Sequence, residues 1–233
     1  MRDRSKAELG SRPERMEAFF DARADGYDGH MKRSVACFDA FYGAVAAALP
    51  QTIERMRILD LGVGTGLELA GVFRRMPNIS VHGIDLSAGM LSKLKERSRY
   101  AGWDLSLEQA SFTETELGQR WYDAVISTMA LHHQLPEEKL DLYRKIHCAL
   151  RPQGAFVNGD YVVSRREAER IRERFLEQMP RLGRCPSGTY HLDLPLCIEE
   201  EVELLEAAGF VTTAVVYQTE NAAVMVSRAA GST

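Results

Sequence analysis

Short apolar runs bounded by turn formers recur along the chain at residues 56–61, 79–84, 104–109, 121–128, 155–162, 210–217 and 221–227. Their length and flanking turns predict strands. Between them apolar residues recur every three or four positions, at 67–75, 88–100, 136–150, 164–179 and 199–208, which predicts helices. Two further helices are expected before the first strand, at 14–24 and 35–49, the second ended by Pro50. The stretch 25–31 between them is rich in Asp and Gly and reads as a turn. Strand and helix alternate from residue 56 onward, the pattern of an α/β domain with helices on both faces of a mostly parallel sheet.

Composition narrows the picture by exclusion. The 233 residues suffice for one such domain with its own core, and 45% hydrophobic and 27% charged residues are ordinary for a globular protein. A net charge of -4 gives no general attraction to nucleic acid or to an anionic membrane. No apolar run nears the roughly 20 residues of a membrane span. The first residues are charged and carry no signal peptide, and the four cysteines are scattered, so a cytoplasmic protein with reduced thiols is expected. The expected organisation is a mobile tail at 1–13, one domain at 14–228 with a helical lid at 14–50 and a substrate-side insertion at 164–195, and a loose tail at 229–233.

The stretch with the strongest chemical content is Asp60, Leu61, Gly62, Gly64 and Gly66, lying between the first strand and its helix. Alternate glycines at a strand's carboxyl end let the backbone turn tightly and approach a ligand. A dinucleotide turn reads G-x-G-x-x-G and would place its third glycine at position 67, where this chain has Leu67. Asp85 ends the second strand, where an acid accepts hydrogen bonds from ribose hydroxyls. Ser87 is the better cap for the helix that follows.

With these residues in hand, Asp60 to Gly66, the Gly83 to Ser87 strand end and the Leu150 to Gly154 turn resemble landmarks of class I S-adenosylmethionine-dependent methyltransferases. The resemblance implies a Rossmann-like seven-stranded sheet with an antiparallel last strand and a two-helix lid at the amino terminus. It implies S-adenosylmethionine as cofactor and a methyl-transfer activity. It implies cofactor contacts from Tyr27, Asp60, Gly62, Gly64, Gly66, Asp85, Leu86, Phe112 and Met129. Phe20-Asp21 and Tyr27-Asp28 match a pattern that closes over the cofactor; a surface turn with an aromatic anchor is the other reading of Tyr27. Ser111 stands where the family places an adenine-binding Asp, so a neutral hydroxyl replaces a carboxylate.

The acceptor side is expected at the ends of the fourth and fifth strands. His132 and His133 follow the fourth strand; His133 is the candidate general base and His132 a candidate substrate contact. As metal ligands the two lack a third partner at a recognisable spacing, and no metal is expected. Asp160 and Tyr161 end the fifth strand and serve either as catalytic contacts or as a hydrogen-bonded strand end. Tyr190 and His191, in the insertion, are further acceptor candidates. Alternating Arg and Glu at 165–177 describe a salt-laced solvated helix, which favours a small-molecule acceptor over RNA. Residues 31–35 and the ending from Ala208 to Asn221 also resemble the branch containing carboxy-S-adenosylmethionine synthase, an enzyme of tRNA modification; this implies Arg33 as a cofactor contact that meets a carboxylate, the cofactor's own or an added one. A noncatalytic cofactor-binding subunit is the third reading. Neither the acceptor nor the oligomeric state is legible.

Overall fold

The computed structural model describes residues 14–182 and 190–230. Seven strands form one sheet: β1 (Arg57–Leu61), β2 (Ser80–Asp85), β3 (Asp104–Gln109), β4 (Tyr122–Thr128), β5 (Leu150–Tyr161), β6 (Thr212–Gln218) and β7 (Ala222–Arg228). Their spatial order is β3-β2-β1-β4-β5-β7-β6. Pairings among β1 to β5 are parallel, and β7 runs antiparallel to both β5 and β6. The chain reverses direction across the sheet between β1 and β4, which opens a crevice at their carboxyl ends.

The two-residue period of the strands sorts side chains to the two faces. Ile58, Ala124, Ile126 and Val157 face a core shared with α3 (Phe38–Ala47), α4 (Leu69–Arg75) and α5 (Ala88–Ala101). Leu59, Val125 and Phe156 face the opposite core, built with α6 (Pro136–Ala149) and α8 (Ile198–Ala207). Helix α5 begins at Ser87, whose hydroxyl accepts from Met90 N at 3.1 Å, and ends at Gly102 in the left-handed conformation, φ 66°.

The amino-terminal segment departs from expectation. It holds three helices, not two: α1 (Met16–Asp21), α2 (Tyr27–Ser34) and α3, with one 3-10 turn at Ala24–Gly26. The expected turn at 25–31 is therefore mostly helix. Its Gly and Asp content is overridden by tertiary contacts: Met31 is buried, and Asp28 accepts from Thr65 Oγ1 at 2.6 Å and from Arg97. Strand β5 also starts earlier, at Leu150, with Gln153 carrying φ 63° through the turn. The tail expected to loosen from Ala229 is held there, because Ala229 is buried and donates to Gly154 O at 3.0 Å. The expected tail at 1–13, the Met179 side chain and the 183–189 part of the insertion, with Cys185 to Thr189, lie outside the described residues, as do 231–233. Within the rest of the insertion, α7 (Arg165–Leu182) extends past its expected end.

Candidate cofactor and acceptor site

The glycine turn after β1 is shaped by three left-handed residues, Gly62 (φ 72°), Gly64 (φ 52°) and Gly66 (φ 68°). A Cβ on Gly62 would lie 2.5 Å from Ala130 Cβ, and one on Gly66 2.7 Å from Leu94 Cδ1. Gly62 is required by the close approach of the β4 loop, and Gly66 by its left-handed backbone, since the Leu94 side chain can give. A Cβ on Gly64 would meet nothing nearer than 3.8 Å, so its outer side is open space over the crevice. Gly64 N donates to Asp85 Oδ2 and Ser87 N to Asp85 Oδ1, both at 2.8 Å. Asp85 thus joins the turn to the tip of β2. Burial, partly offset by these hydrogen bonds, pushes its carboxyl up to about 6.

Behind the turn, Asp60 and Glu68 are both buried. Glu68 Oε2 accepts from Thr128 Oγ1 at 2.8 Å, while Glu68 Oε1 and both oxygens of Asp60 have no hydrogen-bond donor among the described residues. Burial raises both carboxyls, and their proximity holds Asp60 well above the carboxylate range. Two acids in one dry site leave acceptor capacity for a cation.

A cleft with about 600 Å³ of free space, part of it open to solvent, lies over this turn. Gly62 and Gly64 form its floor, Asp85, Leu86 and Met90 one side, Ser111, Phe112 and Thr113 another, and Met129, Ala130, His133 and Gln134 the side toward β4. Met129 holds φ 51°, strain for a non-glycine residue, stabilised by its N–H donating to Gly159 O at 2.8 Å. Met16, Phe20 and Tyr27 close the cleft from above. Burial and the nearby carboxylates of Asp85 and Glu68 raise the Tyr27 phenol, which stays neutral. The two Asp residues of the lid are its fasteners. Asp21 Oδ1 accepts from Ser87 Oγ at 2.5 Å and Gly89 N at 2.9 Å, and Asp28 holds Thr65 and Arg97.

Beside the cleft lies a second polar group. His132 Nδ1 is 2.6 Å from Asp160 Oδ1, both buried. Burial opposes charge on this histidine, but Asp160, joined by Asp193, outweighs it and raises the imidazole. The neighbouring His133 donates through Nδ1 to Leu192 O at 2.7 Å, and burial next to His132 lowers it to about 3. Its Nε2 therefore carries the lone pair. Leu194 N donates to His132 O at 2.7 Å, so the 192–194 segment is fastened to both histidines. Asp193 Oδ1 lies 3.6 Å from His132 Nε2 and 3.4 Å from His133 Nδ1. His191 stacks on Phe19 at 3.5 Å between ring centroids.

Of the expected residues, Tyr27, Gly62, Gly64, Asp85, Leu86, Ser111, Phe112, Met129 and His133 meet in one cleft. Asp60 and Gly66 support it from below. Arg33 is not brought in: it is exposed on α2, because its helical turn directs Met31 and Ser34 inward instead. Ser111 reaches Thr113 Oγ1 at 2.8 Å. Asp160 and Tyr161 do not line the cleft; Asp160 is spent on His132, and Tyr161 packs edge-on against that ring at 5.0 Å. Tyr190 pairs by a backbone bridge with Arg15, away from the cleft lining. Sequence reasoning did not single out Glu68, Thr113, Gln134 or Asp193 as site residues. An acid inside the apolar start of a helix was the available sign for Glu68; the others had none.

An open glycine, a carboxylate at the β2 tip, apolar walls and unfilled acid behind the turn suit a nucleoside carrying a cationic amino-acid tail. Residues 58–154 match the family described as methyltransferase domain. That stretch, 97 of the 233 residues, is similar to a methyltransferase domain. The domain is similar to a carboxy-S-adenosyl-L-methionine synthase of Nautilia profundicola, 22% identical over 92% of this chain and 95% of that protein. It is 27% identical to the synthase of Campylobacter concisus over 62% of each chain, so the match spans about three fifths of that relative. Its fold is that of a Nostoc punctiforme protein assigned as an O-methyltransferase, with TM-score 0.66 and 21% identity, covering 92% of this chain and 61% of that one. A Haloferax volcanii methyltransferase, solved with an activator protein, has TM-score 0.65 and 20% identity over 91% of this chain and 97% of its own.

Proposed function

We propose that this methyltransferase domain transfers a methyl group from S-adenosylmethionine to a small molecule that enters beside His133. The observation that carries the reading is the single cleft, which joins the glycine turn and Asp85 at one end to His133 at the other. The bound cofactor supplies a sulfonium methyl that is already activated. The chain's own work is alignment and exclusion of water. Asp85 accepts from ribose hydroxyls, Leu86, Phe112 and Met90 flank the adenine, and Ser111 and Thr113 offer hydroxyls at its edge. Asp60 with Glu68 draws the amino group of the methionine part. Tyr27 and Phe20 cover it. His133, neutral and with Nε2 bare, accepts a hydrogen bond from a hydroxyl or amine and orients it; Asp160 and Tyr161 act by holding His132.

The acceptor is proposed as a small molecule because the cleft is enclosed by the lid. The reaction is proposed for the cytoplasm, where exposed thiols such as Cys37 and Cys148 stay reduced. Among the described residues no helix is long and apolar enough to cross a membrane. The relatives named as carboxy-S-adenosyl-L-methionine synthases favour a second reading, in which the cofactor itself is modified. Against it, among the described residues no Lys or Arg lines the cleft to receive an added carboxylate, and Arg33 is exposed on α2. Mass spectrometry of the ligand that co-purifies with the protein separates the two. A plain S-adenosyl ligand, followed by transfer of labelled methyl to a small-molecule fraction, supports methyl transfer; a carboxylated ligand supports the synthase.

A further inference from the structure

The group beside the cleft has the composition and spacing of a metal site. Four-coordinate Zn²⁺ holds imidazole nitrogens and carboxylate oxygens at about 2.0–2.2 Å, so its ligand atoms stand roughly 3.3–3.5 Å apart in a tetrahedron. Asp193 Oδ1 is 3.4 Å from His133 Nδ1 and 3.6 Å from His132 Nε2, and the chosen ligand atoms of all three residues lie within 4.8 Å of one another. His191 Nε2 is a further 3.7 Å from the same Asp193 oxygen. The far nitrogen of His132 is held by Asp160 at 2.6 Å, the carboxylate support that fixes the tautomer and orientation of metal-bound imidazoles. With Nδ1–H directed at Asp160, His132 Nε2 presents its lone pair toward Asp193.

We propose that His132, His133 and Asp193 bind one divalent transition-metal ion of the Zn²⁺ class at the edge of the cleft. Two imidazoles and one carboxylate leave a fourth position open. The histidines are buried while Asp193 is 66% exposed, which gives the ion a route in from solvent. Binding moves the His133 proton from Nδ1 to Nε2 and takes the place of the hydrogen bond to Leu192 O, so in the metal-bound form the ion, and not His133 Nε2, meets the acceptor's lone pair. The backbone bond from Leu194 N to His132 O, and the bond that Leu192 O accepts from His133 Nδ1, fasten Asp193 opposite the histidines before any ion arrives. On the reading above, and resting on it, the open position takes the oxygen or sulfur of the acceptor. The ion lowers the pKa of that hydroxyl or thiol, whose proton leaves to solvent. The acceptor class is then an alcohol, phenol or thiol.

The test uses full-length protein stripped with a chelator and dialysed. Calorimetric titration with Zn²⁺ is expected to show one saturable site at micromolar dissociation constant or tighter, and Co²⁺ is expected to give the strong visible bands of a four-coordinate complex. Asp193→Asn, on the exposed member, is expected to fold with an unchanged circular dichroism spectrum and to weaken Zn²⁺ at least tenfold, while Asp141→Asn on the surface leaves it unchanged. Absence of a saturable one-to-one site, or equal affinity in the Asp193→Asn variant, overturns the inference. S-adenosylhomocysteine titrated into the same stripped protein is read separately: its binding without metal binding sinks the metal site and leaves the methyltransferase reading standing.

Discussion

The proposed cofactor end of the cleft and the proposed acceptor end are built by different means. The first is a local device: β1, three left-handed glycines and the tip of β2 lie within 29 residues of one another, from Arg57 to Asp85, and backbone geometry makes most of its contacts. The second is assembled from a distance, with His132 on the β4 loop, Asp160 at the end of β5 and Asp193 in the segment before α8. It rests on buried charge. Lys139 and Glu201 form an ion pair between α6 and α8 with no exposure of Lys139, Tyr143 donates to Glu201 at 2.6 Å, and Lys139 also steadies the charge on Asp160. The difference teaches where each end is fragile: one fails when a Cβ is added, the other when a charge loses its partner.

The largest expected effect probes the acceptor end. Lys139→Met leaves Glu201 buried and short of its partner, and should cost about 3–5 kcal/mol of unfolding free energy in denaturant titration. Adding Glu201→Gln to that variant should recover part of the loss. At the cofactor end, Gly62→Ala forces a left-handed alanine, about 1–2 kcal/mol, and presses on Ala130, about 1–3 kcal/mol more. The same titration should show the sum, with cofactor binding lost in calorimetry. Asp85→Ala should keep the fold but weaken S-adenosylhomocysteine about 10- to 100-fold, as expected for charge-assisted hydrogen bonds to ribose. Asp85 also sets a pH dependence. Its folded carboxyl, near 6, is raised above 3.8, so it is neutral below about pH 6 and charged above. Affinity should therefore fall several-fold between pH 7.5 and pH 5. By the same shift, its contribution to stability is fully present below 3.8 and lost as pH rises through 6. The smallest effect is expected at Arg33→Ala, exposed on α2, which should change cofactor affinity less than twofold.

This contrast also explains what could be read from the chain alone. Asp60 to Gly66 and Asp85 are spaced by backbone geometry, so sequence carries their relation, and the α/β class follows from the alternation of strand and helix, while the antiparallel last strand was implied only by the resemblance. The lid was half legible. Phe20 and Tyr27 enter the cleft as the pattern implied, but helix α2 was hidden behind Asp25, Gly26 and Gly29, whose turn preference is overruled by Asp28 bonding Thr65 and Arg97. Arg33 was drawn toward the site by a short resemblance, and helical phase turns it outward. Asp193 was illegible beside His132 and His133, because about 60 residues separate them and the 192–194 segment returns to the β4 loop through long-range bonds, Leu194 N to His132 O and His133 Nδ1 to Leu192 O.

The central claim is that the crevice over the glycine turn is the S-adenosylmethionine site. Isothermal titration of S-adenosylhomocysteine into the wild-type protein and into Asp85→Ala tests it most directly. The account predicts one-to-one binding at micromolar affinity or tighter in the wild type and a loss of at least tenfold in the variant. Absence of binding to the folded wild-type protein, or equal affinity in the two, would contradict it.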